Sequence, residues 1–404
     1  MTFVVKKIKL AFLEDNAQIG GAEVNVLNLV KRLNPEGFSP LVICPFEGPF
    51  VSRIRAAGGR ADIVPRLPLF STSTFIRGRK ITNPLALLYD LFSFIPSSLL
   101  LARFLRHEQV DVVHTNSMLA HLYGGVAARI AGVRCLWHMQ DIVDGNQALG
   151  ILQRSLNLFG RYLPQRIIVV SEAVKRTFHG NTRDKVKVVY NGTDISVYGS
   201  GRSGGRVRKE IGIGPGEIVV GMVGRVVHWK GHREFLQAAH LIHEELPGVK
   251  FVIVGDSSLG GKEYFDEIKR FSRSLGLQDC VIFTGFRDDV PDVFAAMDVV
   301  VHASTLPEPC ALSLMEAMAS SKPVVATRGG GTPEIVDDGI TGKLVPMRNV
   351  KALAEAVSSL VSNPQERERM GCAGRKRVEE LFSLDIFVRN MGDVYSGLFA
   401  GKTK

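Results

Sequence analysis

Two glutamates eight positions apart, Glu308 and Glu316, stand in the segment STLPEPCALSLMEAMASSKPVVAT. Pro307 and Pro309 keep regular helix away from Glu308, whereas Ala311–Ala319 is built of good helix formers and stops before Ser-Ser-Lys-Pro. Glu308 is therefore expected at the mouth of a loop and Glu316 in the second turn of the helix that follows. The amides of Cys310, Ala311 and Leu312 would open that helix toward a phosphate or a sugar. An ionised carboxylate offers two acceptor oxygens, which suits the neighbouring hydroxyls of a sugar. A solvated helix position is the other reading of Glu316, although Leu312, Leu314, Met315 and Met318 argue for a partly buried one.

Cations and glycines add a second kind of chemistry. In GMVGRVVHWKGH, Gly224 closes a strand pattern, Arg225 follows, and Lys230 comes five residues later. The planar fork of Arg225 and the point charge of Lys230 would neutralise a diphosphate, or both are solvated surface cations. Gly20 and Gly21 separate a strand pattern from an amphipathic helix. Their missing side chains would admit a ligand to the backbone and the helix N-terminus, or only make a tight turn. Gly329, Gly330 and Gly331 precede Glu334, which opens a short helix, and a second turn at Gly339–Gly342. Three glycines in a row imply close backbone approach or unusual dihedrals.

These residues need a scaffold, and apolar β-branched runs alternating with helical patterns supply one, the mark of parallel sheets with crossover helices. In the first half strands are expected at Lys7–Glu14, Pro40–Cys44, Asp111–Thr115, Val133–His138, Arg166–Val170 and Lys185–Tyr190. The second half repeats the theme at Glu217–Val223, Val249–Gly255, Cys280–Thr284, Asp298–His302, Pro323–Thr327 and Lys343–Val345. Between them Gly199–Arg206 has the Gly, Ser and Arg content of an exposed linker. Two α/β domains with a cleft between them are expected, and 404 residues are ample for both.

The net charge of +10 asks for an anionic partner. Residues 1–204 hold 25 Lys and Arg against 14 acids, an excess of 11, while residues 205–404 hold 25 against 26. No Lys/Arg block occurs and only seven Tyr and two Trp accompany the charge, so nucleic acid is not expected as a partner. Five scattered cysteines without a CxxC pair indicate neither a disulfide frame nor a zinc site, and fit a reducing cytoplasm. Lys6, Lys7 and Lys9 interrupt any signal-peptide core, and no apolar run reaches the roughly 18 residues of a membrane span.

Read in order, IGGAE, the Arg225/Lys230 pair, FVIVGD, VIFTGFRDDVPDVFAAMDVVVHAS, the Glu308 to Glu316 segment and GGGTPEIVDDGITGKLV resemble the nucleotide-sugar-dependent retaining glycosyltransferases of family 4, also called group 1. The resemblance covers nearly the whole chain. It implies the GT-B fold: an α/β architecture of two Rossmann-like domains facing each other across a cleft. Residues 1–195 would form the acceptor-side domain, with a C-terminal helix at 386–404 packing back on it, and residues 205–385 the donor domain. By similarity Arg225 and Lys230 bind the donor diphosphate, Glu316 takes the ribose hydroxyls and Glu308 holds the transferred sugar. The base would lie near Gly285, Phe286 and Arg287, largely on backbone groups, and Gly20–Gly21 would face the diphosphate and acceptor.

His138, closing the strand of WHMQD, resembles a family histidine that touches the donor sugar, although the family more often has His followed directly by Asp and here Asp141 comes three later; capping the strand end is the alternative. His114 ends DVVHT, where an orienting or packing role is expected. The family commonly reads Glu-Pro-Phe-Gly where this chain reads EPCA, so Cys310 and Ala311 replace an aromatic and a glycine, and an exposed Cys310 would be sensitive to alkylation.

No Asp-x-Asp metal motif occurs, so no metal or other cofactor is expected, and Arg225, Lys230 and a helix N-terminus would stabilise the nucleotide diphosphate leaving group. Without a convincing nucleophile, front-face attack is favoured over double displacement. The expected reaction moves a hexose from a UDP- or GDP-sugar to a glycan or lipid-linked hydroxyl, as in polysaccharide biosynthesis. A GT-B epimerase and a non-catalytic nucleotide-sugar binding protein are the alternatives. Arg66, Arg77, Arg79 and Lys80 precede PLALLYDLFSFIPSSLLLARFLRHE, interrupted by Asp90 and Pro96. A pair of amphipathic helices there would rest on an anionic membrane at the cytoplasmic face, or the segment is a core crossover.

Overall fold

The computed structural model describes residues 7–66, 73–76, 79–82, 84–143, 149–199, 202–256 and 262–399, the side chains of 73–92 and 149–152 excepted. The chain divides into two compact units, one from Met1–Val170, Val174–Val189 and Val388–Lys404, the other from Ser171–Ala173 and Tyr190–Phe387.

Unit 1 contains β1 (Ile8–Leu13), β2 (Phe38–Cys44), β3 (Arg60–Ile63), β4 (Ser73–Ile76), β5 (Arg79–Thr82), β6 (Val112–Thr115), β7 (Arg134–Met139), β8 (Arg166–Val169) and β9 (Val186–Val188). Seven of them form a parallel sheet in the order β3-β2-β1-β6-β7-β8-β9, and β4 and β5 pair separately as an antiparallel ladder. Its helices are α1 (Gly21–Arg32), α2 (Pro49–Ala56), α3 (Pro84–His107), α4 (Met118–Ala131), α5 (Leu149–Tyr162), α6 (Glu172–Lys175) and α7 (Gly180–Arg183), α6 reaching into unit 2 at its first residues. Strand order runs one way from β1 to β3 and the other way from β6 to β9. Right-handed crossovers therefore put α1 and α2 on one face of the sheet and α3, α4 and α5 on the other.

Unit 2 repeats the plan with β10 (Ile218–Val223), β11 (Val249–Val254), β12 (Val281–Gly285), β13 (Val299–His302), β14 (Val324–Arg328) and β15 (Gly342–Pro346), all parallel, in the order β12-β11-β10-β13-β14-β15. Its helices are α8 (Gly205–Glu210), α9 (His232–Glu245), α10 (Lys262–Ser274), α11 (Val290–Ala296), α12 (Leu312–Ala319), α13 (Thr332–Ile335), α14 (Val350–Val361) and α15 (Pro364–Leu381), followed by α16 (Leu384–Gly397), which ends in unit 1. Alternate residues of one strand enter different cores: Phe251 and Ile253 pack with Phe235 and Leu236, Val252 and Val254 with Phe294 and Leu314. Burial on both faces is why these strands read as unbroken apolar runs.

All twelve expected strands are present with ends within two residues. β3 was not expected, because four residues carrying Arg60 and Asp62 at the sheet edge give no apolar pattern; the β4–β5 pair was likewise missed.

Three expectations change. The linker expected at Gly199–Arg206 is not where the chain changes units; apart from the short excursion Ser171–Ala173 it crosses at Val189/Tyr190 and Phe387/Val388. Gly204 packs against Ala296, where a Cβ would stand 2.2 Å from its Cα, and α8 puts Val207 in the core. The expected pair of amphipathic helices is one helix, α3, running through Pro96; the Ser97 and Ser98 hydroxyls donate to the carbonyls of Ser93 and Phe94 around the proline. Arg66 is half-buried with its guanidinium 5.9 Å from the Tyr123 ring centre, no free basic loop residue. Arg77 and the side chains of Arg79, Lys80 and Asp90 lie outside the described residues. Among the described residues no helix is long and apolar enough to cross a membrane.

Candidate functional site

In unit 2 the strand order reverses between β10 and β13, so the loops leaving their C-terminal ends diverge and open a crevice there. After β10 come Gly224, Arg225, the short 3-10 turn His228–Lys230, and Gly231 at the start of α9. Gly231 has φ 81°, and a Cβ on it would stand 1.9 Å from the Ala303 carbonyl oxygen. Only glycine lets this turn lie against the loop that leaves β13. The Thr305 amide ties the same two loops by donating to the Trp229 carbonyl at 2.8 Å.

That contact brings Lys230 Nζ to 2.8 and 2.7 Å from the two carboxylate oxygens of Glu308. Both side chains are largely buried, 14% and 7% exposed. His302, the last residue of β13, puts Nε2 2.8 Å from Glu308 Oε1, and the Ser304 hydroxyl donates to the same oxygen. Burial opposes the charge on Glu308, but His302 first and Lys230 next outweigh it and hold the carboxyl well below the usual carboxylate range. Arg225 is exposed, its guanidinium carbon 5.9 Å from the Trp229 ring centre, and Lys230 Nζ lies 4.6 Å from the same ring. Trp229 thus stands by both cations.

The triple glycine is the bed on which Glu308 rests. Gly330 has φ 57° and a Cβ there would stand 2.1 Å from the Glu308 carbonyl oxygen, which accepts the Gly331 amide at 2.8 Å. Both readings of the three glycines, close approach and a left-handed dihedral, hold at Gly330.

Beyond Glu308 the chain enters α12, with Ala311 as its N-cap and no side-chain cap. Glu316 stands in the second turn, half-buried; burial pushes its carboxyl up and the Tyr198 hydroxyl, bonded to it, partly offsets that. Ala311 is 3% exposed and belongs to the core, and Leu312 is half-buried. Cys310 departs from expectation: it is half-buried, and burial pushes its thiol up to about 12, so it is not an activated, exposed nucleophile.

Gly285 (φ 74°) ends β12 and Phe286 is 65% exposed. The Arg287 guanidinium is committed to carboxylates, at 2.7 and 3.0 Å from Glu210 and 2.8 and 2.7 Å from Asp289, which pins this loop. Arg225, Lys230 and Glu308 therefore share one spot with His302, and Gly285–Arg287 sit two strands away from β10 along the sheet edge. Glu334, placed by the sequence at a helix start without a role, accepts from the amides of Glu172 and Ala173 at 2.8 and 2.9 Å and from the Tyr190 hydroxyl at 2.9 Å. It holds the short excursion Ser171–Ala173 in unit 2.

Unit 1 has a polar cluster at its own reversal, between β1 and β6. His114 Nδ1 is 2.7 Å from the Tyr395 hydroxyl of α16 and its Nε2 is 3.1 Å from Asn116 Oδ1, while Asn116 Nδ2 donates to Glu14 at 2.7 Å. His138, the penultimate residue of β7, is buried, its ring centre 5.1 Å from that of His114. Burial pulls the His138 imidazole down to about 3, and burial with the neighbouring His138 does the same to His121. Burial and then Glu23 push the Glu14 carboxyl well up. Gly20 and Gly21 stand where α1 begins, and the Gly20 amide donates to Glu23 at 2.9 Å, capping the helix from within.

Residues 19–197 match the sequence model described as Glycosyltransferase Family 4, and residues 203–377 that described as Glycosyl transferases group 1. The UDP-Gal:alpha-D-GlcNAc-diphosphoundecaprenol alpha-1,3-galactosyltransferase of Escherichia coli is 25% identical over 98% of each chain. Spore coat protein SA of Bacillus subtilis is 32% identical over 57% of this chain and 64% of its own length. Among solved structures, Anabaena HepE in complex with UDP-glucose superposes with a TM-score of 0.82 at 25% identity, over 96% of this chain and all of that one. Sucrose-phosphate synthase from Thermosynechococcus elongatus shares the fold, with a TM-score of 0.79 at 20% identity over 98% of this chain and all of that one. With both units matched and both parallel sheets in place, the chain belongs to the group 1, family 4 glycosyltransferases of GT-B fold.

Proposed function

We propose that this protein transfers a hexose from a UDP-sugar to a hydroxyl acceptor with retention of configuration and without a metal ion. The observation that carries the reading is the Lys230–Glu308–His302 constellation at the reversal of the unit 2 sheet, beside the exposed Arg225. Support for the donor comes from HepE, solved with UDP-glucose, and from the UDP-galactose-dependent enzyme of E. coli. That enzyme also acts on a diphosphoundecaprenol-linked sugar, which favours a lipid-linked acceptor here.

In this reading the donor diphosphate draws Lys230 away from Glu308. Arg225 and Lys230 then carry the charge that develops on the leaving diphosphate, the task a divalent metal performs in other transferases. Glu308, released, accepts hydrogen bonds from hydroxyls of the transferred sugar, and Glu316 receives the ribose hydroxyls in place of the Tyr198 hydroxyl. Backbone groups of Gly285, Phe286 and Arg287 hold the base, and the amides of Cys310, Ala311 and Leu312 face the phosphates. Neutral His138 serves as a hydrogen-bond partner for the sugar, and Gly20–Gly21 leave room for the acceptor. The acceptor proton leaves on the departing phosphate oxygen in a front-face attack. UDP release from a panel of UDP- and GDP-sugars, with and without a chelator, followed by the anomeric configuration of the product, tests this. Inversion, a trapped glycosyl-enzyme or loss of activity on chelation would each overturn the corresponding part.

A further inference from the structure

The helices α3, α4 and α5 lie side by side on one face of the unit 1 sheet, and direct contacts join them in that order. Arg106 of α3 donates to the Ile130 carbonyl of α4, and Arg129 of α4 donates to the Tyr162 carbonyl of α5 at 3.1 Å. Neither α4 nor α5 contains an acidic residue, and α3 contains only Asp90, far from its C-terminal half.

Large apolar side chains crowd the outer surface of these helices. On α3, Ile95, Leu99 and Leu100 are 45–61% exposed at the helical spacing i, i+4, i+5, and exposed Arg103 and Arg106 continue the stripe. On α5, Leu158, Phe159 and Tyr162 are 40–57% exposed beside the exposed Arg154 and Arg161. With Ile130 of α4 these make seven of the fourteen large apolar side chains left exposed among the described residues, gathered on three helices.

We propose that the α3–α4–α5 face of unit 1 docks on the surface of an anionic phospholipid bilayer. Apolar side chains interspersed with arginine as the dominant charge match the boundary between acyl chains and phosphate headgroups, where the former enter and the latter pair. Self-association through this face would set arginine against arginine with no acid between them, so a second copy fits the charge poorly. The surface shares no residue with the donor site proposed in unit 2, and the proposal holds independently of which sugar is moved.

Sedimentation of the full chain with vesicles of phosphatidylcholine alone, or mixed with phosphatidylglycerol, tests it. Binding is expected only to the phosphatidylglycerol vesicles, and is released at about 1 M salt, where the screening length falls to about 3 Å. Leu99→Glu with Phe159→Glu abolishes it. Arg103→Ala with Arg154→Ala weakens it by about fivefold for each arginine removed. Thermal melting and UDP release by these variants remain as in the parent, which separates failure of docking from failure of the donor reading. Absence of binding to phosphatidylglycerol vesicles at low salt overturns the proposal, as does equal binding by either folded double variant. A concentration-dependent dimer broken by the glutamates, with no vesicle binding, overturns it in favour of self-association.

Discussion

Glu308 receives three partners, and the cost of removing each follows from what it leaves behind. Lys230→Ala strips the buried carboxylate of its charge partner and the diphosphate of a cation, so UDP release is expected to fall by about 10²- to 10³-fold; an unchanged rate would remove Lys230 from the site. His302 was not singled out from the sequence, because a histidine closing a β-branched run does not disclose that the loop after it curls back to meet Glu308 six residues on. His302→Ala should lower kcat more than it raises KM and alter the acid limb of the pH profile, with partial recovery in His302→Gln, whose amide can still donate; a uniform loss would mark His302 as structural only. Ser304 and Tyr198 escaped notice for the same reason. Arg225, Lys230, Glu308 and Glu316 were legible because they stand at strand ends and a loop-to-helix junction that local patterns already mark.

Elements position these groups through glycines that no side chain can replace. Gly330→Ala would force a Cβ onto the Glu308 carbonyl at a left-handed dihedral. It is expected to lower stability by about 1–3 kcal/mol and to raise the donor KM, checked by denaturant melts and UDP-release kinetics. Two buried histidines of unit 1, His121 in α4 and His138 in β7, make a different prediction. His121 and His138 are held near 3 by burial, below the roughly 6.5 of an unfolded histidine, so the unfolded chain binds more protons as pH falls. The stability these neutral rings represent is complete above about pH 6.5 and is lost progressively toward pH 3. Urea melts across that range should show unit 1 weakening, and His138→Gln should flatten the dependence; a profile unchanged by the substitution would contradict the assignment. Twelve of the parallel strands were readable as apolar or β-branched runs, whereas β3 and the β4–β5 pair are too short and too polar to announce themselves.

Across the whole molecule the charge excess divides as the sheets do: the acid-balanced second half carries Arg225 and Lys230 as individually placed cations, and the basic first half gathers arginines on a helical face. Chain crossing is the feature least visible in sequence, since the Gly/Ser/Arg stretch that looked like a joint belongs to unit 2 and the main crossings lie at Val189/Tyr190 and Phe387/Val388. Deleting residues 388–404, the segment that belongs to unit 1, should leave a cooperative melt for unit 2 while the near-ultraviolet signal of Trp137 and Tyr123 in unit 1 is lost; retention of both signals would show that this part of α16 is dispensable. α16 carries Tyr395, fully buried beside Phe12 and His114, into the core around β1 and β6. The half that is translated first therefore cannot close its core until residue 395 has been made, and a chain stalled within α15 would hold a unit 1 that still lacks Tyr395 and needs the shelter of a chaperone.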